Sequence, residues 1–358
     1  MYYYIITLLS FICFMVKSLN LKKQYLYYLG STYLFFILIF LISGLRYGVG
    51  TDFFSYKEIF DLESNIEPIF FLLIKSTKFI GGGYPLFIFI VFSLSFSIKL
   101  FSFHKLSYHK GFFLSVMLFC SFYYIAYEMN AIRQGLSLSL TMLASYYAYK
   151  KNKIKYSVSV IIATLIHYTA FIFLPFYYMI NYKISKKAAL LWCIFAFILS
   201  TNNSFNTLIN LSTFFLGEHE ISARIMAYSS SEEFNNNLLI SFSTIRRLLF
   251  FVLILYTYEF IDAKERIKQI IFWGAFISII LYLLFAQVGY FSTRLSVYYR
   301  VYECVWLSYL PFIFKKKSTK IFIIIFFFLY SLSQVASALS LENNGLIPIQ
   351  LFIFQDLW

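Results

Sequence analysis

An all-α, polytopic transmembrane bundle is the fold class this sequence predicts, and three observations predict it. Of the 358 residues, 61% are hydrophobic and only 13% are charged, more apolar surface than a soluble domain of this length can hide. Apolar runs of about 18–20 residues recur along the chain, each able to cross roughly 30 Å of hydrocarbon as a helix. The runs are continuous rather than alternating, which argues against a β-barrel. The net charge of +14 resides largely in short lysine clusters between the runs. That is the pattern of orientation signals, so no nucleic-acid partner is expected.

The lysine clusters mark the cytoplasmic side: Lys22-Lys23, Lys105 with Lys110, Lys150 to Lys155, Lys183 with Lys186-Lys187, Lys264 to Lys268, and Lys315 to Lys317. Loops rich in acids, Asn and Ser fall on the outer side: Arg46 to Glu67, Glu128 to Arg133, Asn202 to Asn237, Gly289 to Arg294, and Leu341 to Trp358. The spans predicted between them cover residues 2–19, 25–45, 84–103, 111–128, 134–149, 188–201, 238–260, 269–288, 296–314 and 320–340. The segment 2–16 lacks a basic leader and a small-residue cleavage site and reads as a retained helix. The segment 188–201 is short for a crossing and is expected to extend into its neighbours. Cys13, Cys120, Cys193 and Cys304 lie in apolar runs without CxxC spacing, which predicts neither disulfides nor a zinc site.

Two stretches do not fit simple crossing. Residues 67–80 have both ends outside and carry Lys75 and Lys78, so an interfacial or re-entrant helix is expected, with Gly81-Gly82-Gly83 as a flexible joint. Residues 156–182 begin and end beside lysine clusters. The favoured reading has the chain enter and return, with His167 near the turn and Pro175 breaking the return limb. The alternative is one tilted crossing that puts Lys183, Lys186 and Lys187 outside. The expected whole is a single integral membrane domain over 1–358, with about 10–12 membrane segments and a long outer loop at 202–237.

Polar residues gather at the outer ends of the spans. Arg46 and Asp52 flank a Gly-Val-Gly turn, with Tyr56 four residues beyond Asp52. The glycines permit close backbone approach. Asn130, Arg133 and Gln134 open the span at 134, and Arg294 with Tyr298 marks a later one. Three arginines from distant parts of the chain thus fall on one membrane face. Arginine stays charged and offers a planar fork suited to phosphate, so an anionic ligand is expected. The competing account is that each arginine snorkels to headgroups or pairs with Asp52, Glu128 or another helix-end acid. Arg300 and Glu303, one helical turn apart, are expected to pair. His167 is the one histidine in an apolar run; it is either hydrogen-bonded to a neighbouring helix or a general base or donor. No GxxxxGK[ST], GxSxG, HExxH or DxD pattern is present.

Four segments carry a resemblance. Arg46-Tyr47-Gly48-Val49-Gly50-Thr51-Asp52-Phe53 with Tyr56 resembles the R-x-G-x-G-T-D-[YF]-x-x-Y signature of EpsG-like proteins, relatives of the Wzy-type bacterial polysaccharide polymerases. Asn130-Ala131-Ile132-Arg133-Gln134, Ile166-His167-Tyr168-Thr169-Ala170 and Arg294 with Tyr298 resemble later segments of that family, in the family's order, over residues 46 to 300. The resemblance implies a GT-C-like glycosyltransferase of the bacterial cytoplasmic membrane. It implies transfer of a growing O-antigen, capsule or exopolysaccharide chain from undecaprenyl diphosphate to the next lipid-linked repeat unit. Neither a metal nor another cofactor is expected, and a chain-length-regulator protein is an expected partner beside membrane lipid. Under this reading Arg46, Tyr56, Asn130, Arg133, Gln134, Arg294 and Tyr298 bind diphosphate or sugar, and Asp52 and His167 are the candidate bases. The alternatives are a flippase or transporter of lipid-linked sugars and an O-antigen ligase-type transferase.

Overall fold

The computed structural model of the protein describes residues 2–18, 25–63, 66–201, 241–340 and 350–351. The expected loop at 202–237 and the lysines at 22–23 lie outside the described residues. Among those described, the helices are α1 (Tyr2–Ser18), α2 (Tyr25–Gly44), α3 (Phe53–Leu62), α4 (Pro68–Phe79), α5 (Tyr84–Leu106), α6 (Phe112–Phe122), α7 (Ile132–Tyr149), α8 (Lys153–Ile166) and the short α9 (Phe176–Met179). They continue as α10 (Lys186–Thr201), α11 (Phe242–Thr257), α12 (Glu265–Leu284), α13 (Gly289–Arg300), α14 (Tyr302–Ile313) and α15 (Lys317–Leu339). Two two-residue strands, β1 (Arg46–Tyr47) and β2 (Gln350–Leu351), pair antiparallel, Arg46 opposite Leu351. By length and composition α5, α12 and α15 can each cross a membrane, and shorter apolar stretches run over Tyr2–Val16, Thr32–Gly44 and Phe112–Phe122. The molecule is an all-α membrane protein.

The chain divides into two compact units, one of residues 1–174, 261–263 and 304–358, the other of 175–260 and 264–303. In the first unit α7 packs on α5 and α8, α1 packs on α2, α6 and α15, and α4 lies on α8. The small face of α7 permits the close approach, because Ser137 Oγ reaches across to donate to the Ala163 carbonyl of α8 at 3.0 Å. An apolar cluster of Phe53, Tyr56, Phe70, Tyr84, Ile132 and Ile166, among others, joins α3, α4, α5, α7 and α8.

Local chemistry sets the helix ends. Pro68 occupies the first turn of α4, where its missing N–H costs nothing. Gly81, at φ +74°, ends it, with Gly81 N–H on Lys78 O and Gly82 N–H on Thr77 O, each 2.9 Å. The glycines expected to form a flexible joint therefore close a fixed left-handed helix cap. The same cap ends α7, with Lys151 at φ 59° in the glycine position. The Asn152 side chain then accepts from Lys155 N at 3.0 Å and starts α8. Beyond Ile166 the chain leaves the helix at His167 and continues as a 3₁₀ turn, Tyr168–Phe173. That turn doubles back along α8, because the Tyr156 hydroxyl, near the start of α8, donates to the Phe173 carbonyl.

Four expectations are corrected. The predicted span 111–128 is not one helix: α6 stops at Phe122, and a π-helical turn, Ile125–Asn130, follows. Glu128, expected in an outer loop, is buried within that turn. The predicted loop at Gly289 to Arg294 is helical, and the span 296–314 is broken at Val301 between α13 and α14. Arg300 Nε meets Glu303 Oε2 at 3.4 Å across that break, the pairing expected from the sequence.

The second unit packs α12 against α10, α11 and α13. Its Lys183 pairs with Glu265 at 3.0 Å and Lys186 with Glu259 at 3.1 Å, so the lysines at 183–187 and the charged run at 264–268 share one end of the unit. All four cysteines are buried, and none forms a disulfide.

Glycine contacts generate a stability prediction. A Cβ at Gly135, in the first turn of α7, would collide with the backbone carbonyl of Tyr127, whereas one at Gly30 would meet nothing within 4 Å. Gly135→Ala is expected to lower stability by at least about 1–3 kcal/mol. Gly30→Ala is expected to be neutral or to stabilise by up to about 1 kcal/mol. Thermal melting of the two variants in detergent measures the difference.

Candidate functional site

The loop after α2 is built around one buried cation. Arg46 is 1% exposed; its Nη1 donates to Ser43 O at 2.7 Å and its Nη2 to Met129 O at 3.4 Å. Burial pushes its pKa below the usual arginine value, opposed by nearby Tyr84, Tyr124, Tyr3 and Glu128. Arg46 thus fastens the end of α2 to the π-helical turn. Both of its terminal nitrogens face carbonyl oxygens.

Gly48 and Gly50, at φ 62° and 104°, carry the loop over that turn. A side chain at Gly50 is excluded twice, by its backbone angle and because its Cβ would lie 2.5 Å from Asn130 Oδ1 and from Met129 O. The close approach lets Asn130 Oδ1 accept from the Thr51 amide at 3.2 Å. Thr51 Oγ1 in turn donates to Asp52 Oδ1 at 3.2 Å. Asp52 is half-buried at the start of α3, where its own backbone carbonyl accepts from Tyr56 N–H.

Arg133 stands at the start of α7. Its Nη1 lies 2.6 Å from Glu67 Oε2, the pair being 25% and 8% exposed, and its guanidinium carbon is 5.6 Å from the centre of the Tyr56 ring. Among the described residues its Nε meets no acceptor. Glu67 was not singled out in the sequence; its place just before Pro68, at a helix start, was the available signal. Gln134 is buried behind Arg133. His167 Nδ1 shares a hydrogen bond with Thr169 Oγ1 at 2.6 Å, and its neighbour Ile166 packs in the cluster that holds Tyr56 and Ile132. The first unit therefore assembles Arg46, Asp52, Tyr56, Asn130, Arg133 and Gln134 around the π-helical turn.

Arg294 and Tyr298 belong to the second unit, on α13, with Tyr298 buried and Arg294 half-buried. Arg247 of α11 lies over the Tyr282 ring at 3.7 Å and donates to Ser296 Oγ of α13 at 3.1 Å. Tyr282 also accepts from Thr244 Oγ1 at 3.2 Å, and its carbonyl takes the Ser292 hydroxyl at 2.8 Å. Arginine and serine side chains thus fix α11, α12 and α13 around the helix that carries Arg294.

These features define a helical membrane protein in which two motif segments, residues 46–56 and 130–134, meet at one irregular turn. The EpsG family model matches residues 30–351, and the chain belongs to the EpsG family. No curated protein and no solved structure matches it. Family and apolar helices together make it a membrane protein of the polysaccharide-polymerase type.

The Thr51–Asn130 bond yields a local prediction. Asn130→Leu removes the acceptor and is expected to raise the hydrogen-exchange rate of the Thr51 amide about fivefold, the equivalent of about 1 kcal/mol. Asn130→Asp keeps an acceptor and is expected to leave the rate near wild type. Exchange mass spectrometry over residues 48–56 distinguishes the two.

Proposed function

We propose that this chain is a repeat-unit polymerase of GT-C-like architecture that transfers a growing glycan from undecaprenyl diphosphate to the next lipid-linked unit at the outer face of the bacterial cytoplasmic membrane. The observation that carries the reading is the locking together of two motif segments about eighty residues apart in sequence: Gly50 and Thr51 seat on Asn130, and Tyr56 lies beside Arg133. An acceptor hydroxyl attacks the anomeric carbon, the bond from that carbon to the diphosphate oxygen breaks, and the hydroxyl proton passes to a base. Asp52 suits that role, being half-buried and held next to Thr51, whose amide Asn130 fixes. His167 is the other candidate. The departing diphosphate gathers negative charge, and a fixed guanidinium stabilises that state in preference to the ground state.

The roles of the arginines divide under this reading. Arg46, enclosed by carbonyls, positions the loop. Arg133 is the residue of the first unit suited to touch a phosphate, since its side chain is 25% exposed whereas Arg46 is 1% exposed. Arg294 and Tyr298, on α13 of the second unit, are proposed to bind diphosphate or sugar. The doubled-back segment from α8 through the 3₁₀ turn supports an entering-and-returning path that carries His167 at its tip. Membrane lipid surrounds the helices, and a chain-length regulator is a proposed partner.

A strain lacking the protein is expected to display single capped repeat units but no long glycan ladder on a gel. A lost flippase would remove even the single unit. Arg133→Ala, Arg294→Ala and Asp52→Asn are each expected to abolish the ladder at normal protein level. Arg133→Lys should fail too, because a point charge does not replace the planar fork. Wild-type ladders from the arginine variants would overturn the diphosphate role.

A further inference from the structure

The π-helical turn that carries the candidate site is pinned from below by a charge the functional reading does not use. Lys99 lies within α5, one of the helices able to cross a membrane, and is 1% exposed; Glu128 is 2% exposed. The Lys99 ammonium lies 2.5 Å from Glu128 Oε1. It also donates to Ser95 Oγ and to the Gly135 carbonyl, each at 2.6 Å. Ser95 Oγ donates in turn to Glu128 Oε1 at 3.2 Å. An ammonium has three protons, and here all three have acceptors.

Two of those acceptors bracket the site. Glu128 precedes Asn130 and Gly135 follows Gln134, so one ammonium holds both ends of the short segment that presents Asn130 and Arg133. Two facts argue that placement, rather than stability, is what this pair supplies. First, a buried ion pair is seldom more stabilising than apolar groups of equal volume, because desolvation offsets the attraction. Second, a π-helical turn holds one extra residue against the usual register. Its relaxation to α-helix would rotate the residues on one side by about 100° relative to the other. Such a slip would carry Asn130 away from the Thr51 amide and Arg133 away from Tyr56. The missing side chain at Gly135, whose Cβ would collide with the Tyr127 carbonyl, admits the overlap of the turn with α7.

We propose that Lys99 is the positioning residue of this site, stapling residues 128 and 135 so that the π-helical turn keeps its register. That the stapled segment serves a substrate rests on the polymerase reading; the staple itself does not.

The test uses full-length protein in membranes, with the four native cysteines replaced by alanine and Thr51→Cys and Asn130→Cys introduced as reporters. Lys99→Met alone leaves an unpaired buried carboxylate and is expected to impair folding. The informative variant is therefore Lys99→Met with Glu128→Leu, which removes both charges. It is expected to accumulate and melt as the reporter protein does, while the yield of the 51–130 disulfide under mild oxidation falls several-fold. An unchanged yield overturns the proposal. The exchange Lys99→Glu with Glu128→Lys restores the attraction but offers no donor at position 99 to the Gly135 carbonyl, so it is expected not to rescue the yield. Full rescue would reduce the interaction to charge pairing and also overturn the staple. Glycan ladders from Lys99→Met with Glu128→Leu, in the native-cysteine background, separate the two readings. A lost cross-link with an intact ladder counts against residues 128–135 as the substrate site, and leaves the staple standing.

Discussion

A charged amine inside an apolar helix must find partners or lose its charge, and this requirement organises the first unit. The Lys99 ammonium draws Ser95, Glu128 and the Gly135 carbonyl onto one point. Three elements meet there: the long helix α5, the π-helical turn and the start of α7. Everything above that point depends on where the turn sits. Met129 O is there to receive Arg46, and Asn130 Oδ1 to receive the Thr51 amide, only because the turn projects them upward.

The upper layer is made of neutralised charges rather than bare ones. Arg46 turns both terminal nitrogens to carbonyl oxygens, and Arg133 meets Glu67 at 2.6 Å. A phosphate approaching Arg133 therefore enters a site that already holds a carboxylate. Such a site discriminates: a weak anion gains little by displacing an internal partner, whereas a doubly charged group gains more.

The apolar architecture was legible in the sequence, and the polar interior was legible only in part. The long run 84–103 became part of α5, because about twenty apolar residues have few alternatives in lipid. The signature residues were also readable, since glycines at 48 and 50 beside Arg46 and Asp52 advertise a tight polar turn. Lys99 was hidden by its own surroundings: a single lysine does not interrupt an apolar run, and nothing local names its partner. Glu128 was assigned to a loop because acids usually flank spans. The π-helical turn escaped because one extra residue leaves no compositional trace and is fixed by contacts from α5 and α2. Glu67 and Arg133, likewise, are joined only by tertiary folding.

The antiparallel pairing of Arg46–Tyr47 with Gln350–Leu351 has a consequence for biosynthesis. Tyr47 leaves the ribosome early, whereas Gln350 follows only after α15 has been translated. The backbone edge beside Arg46 therefore waits, open, through the insertion of every intervening helix. The pairing cannot form until residues 350 and 351 have emerged, so the loop that begins at Arg46 stays unclasped while α3 to α15 are made.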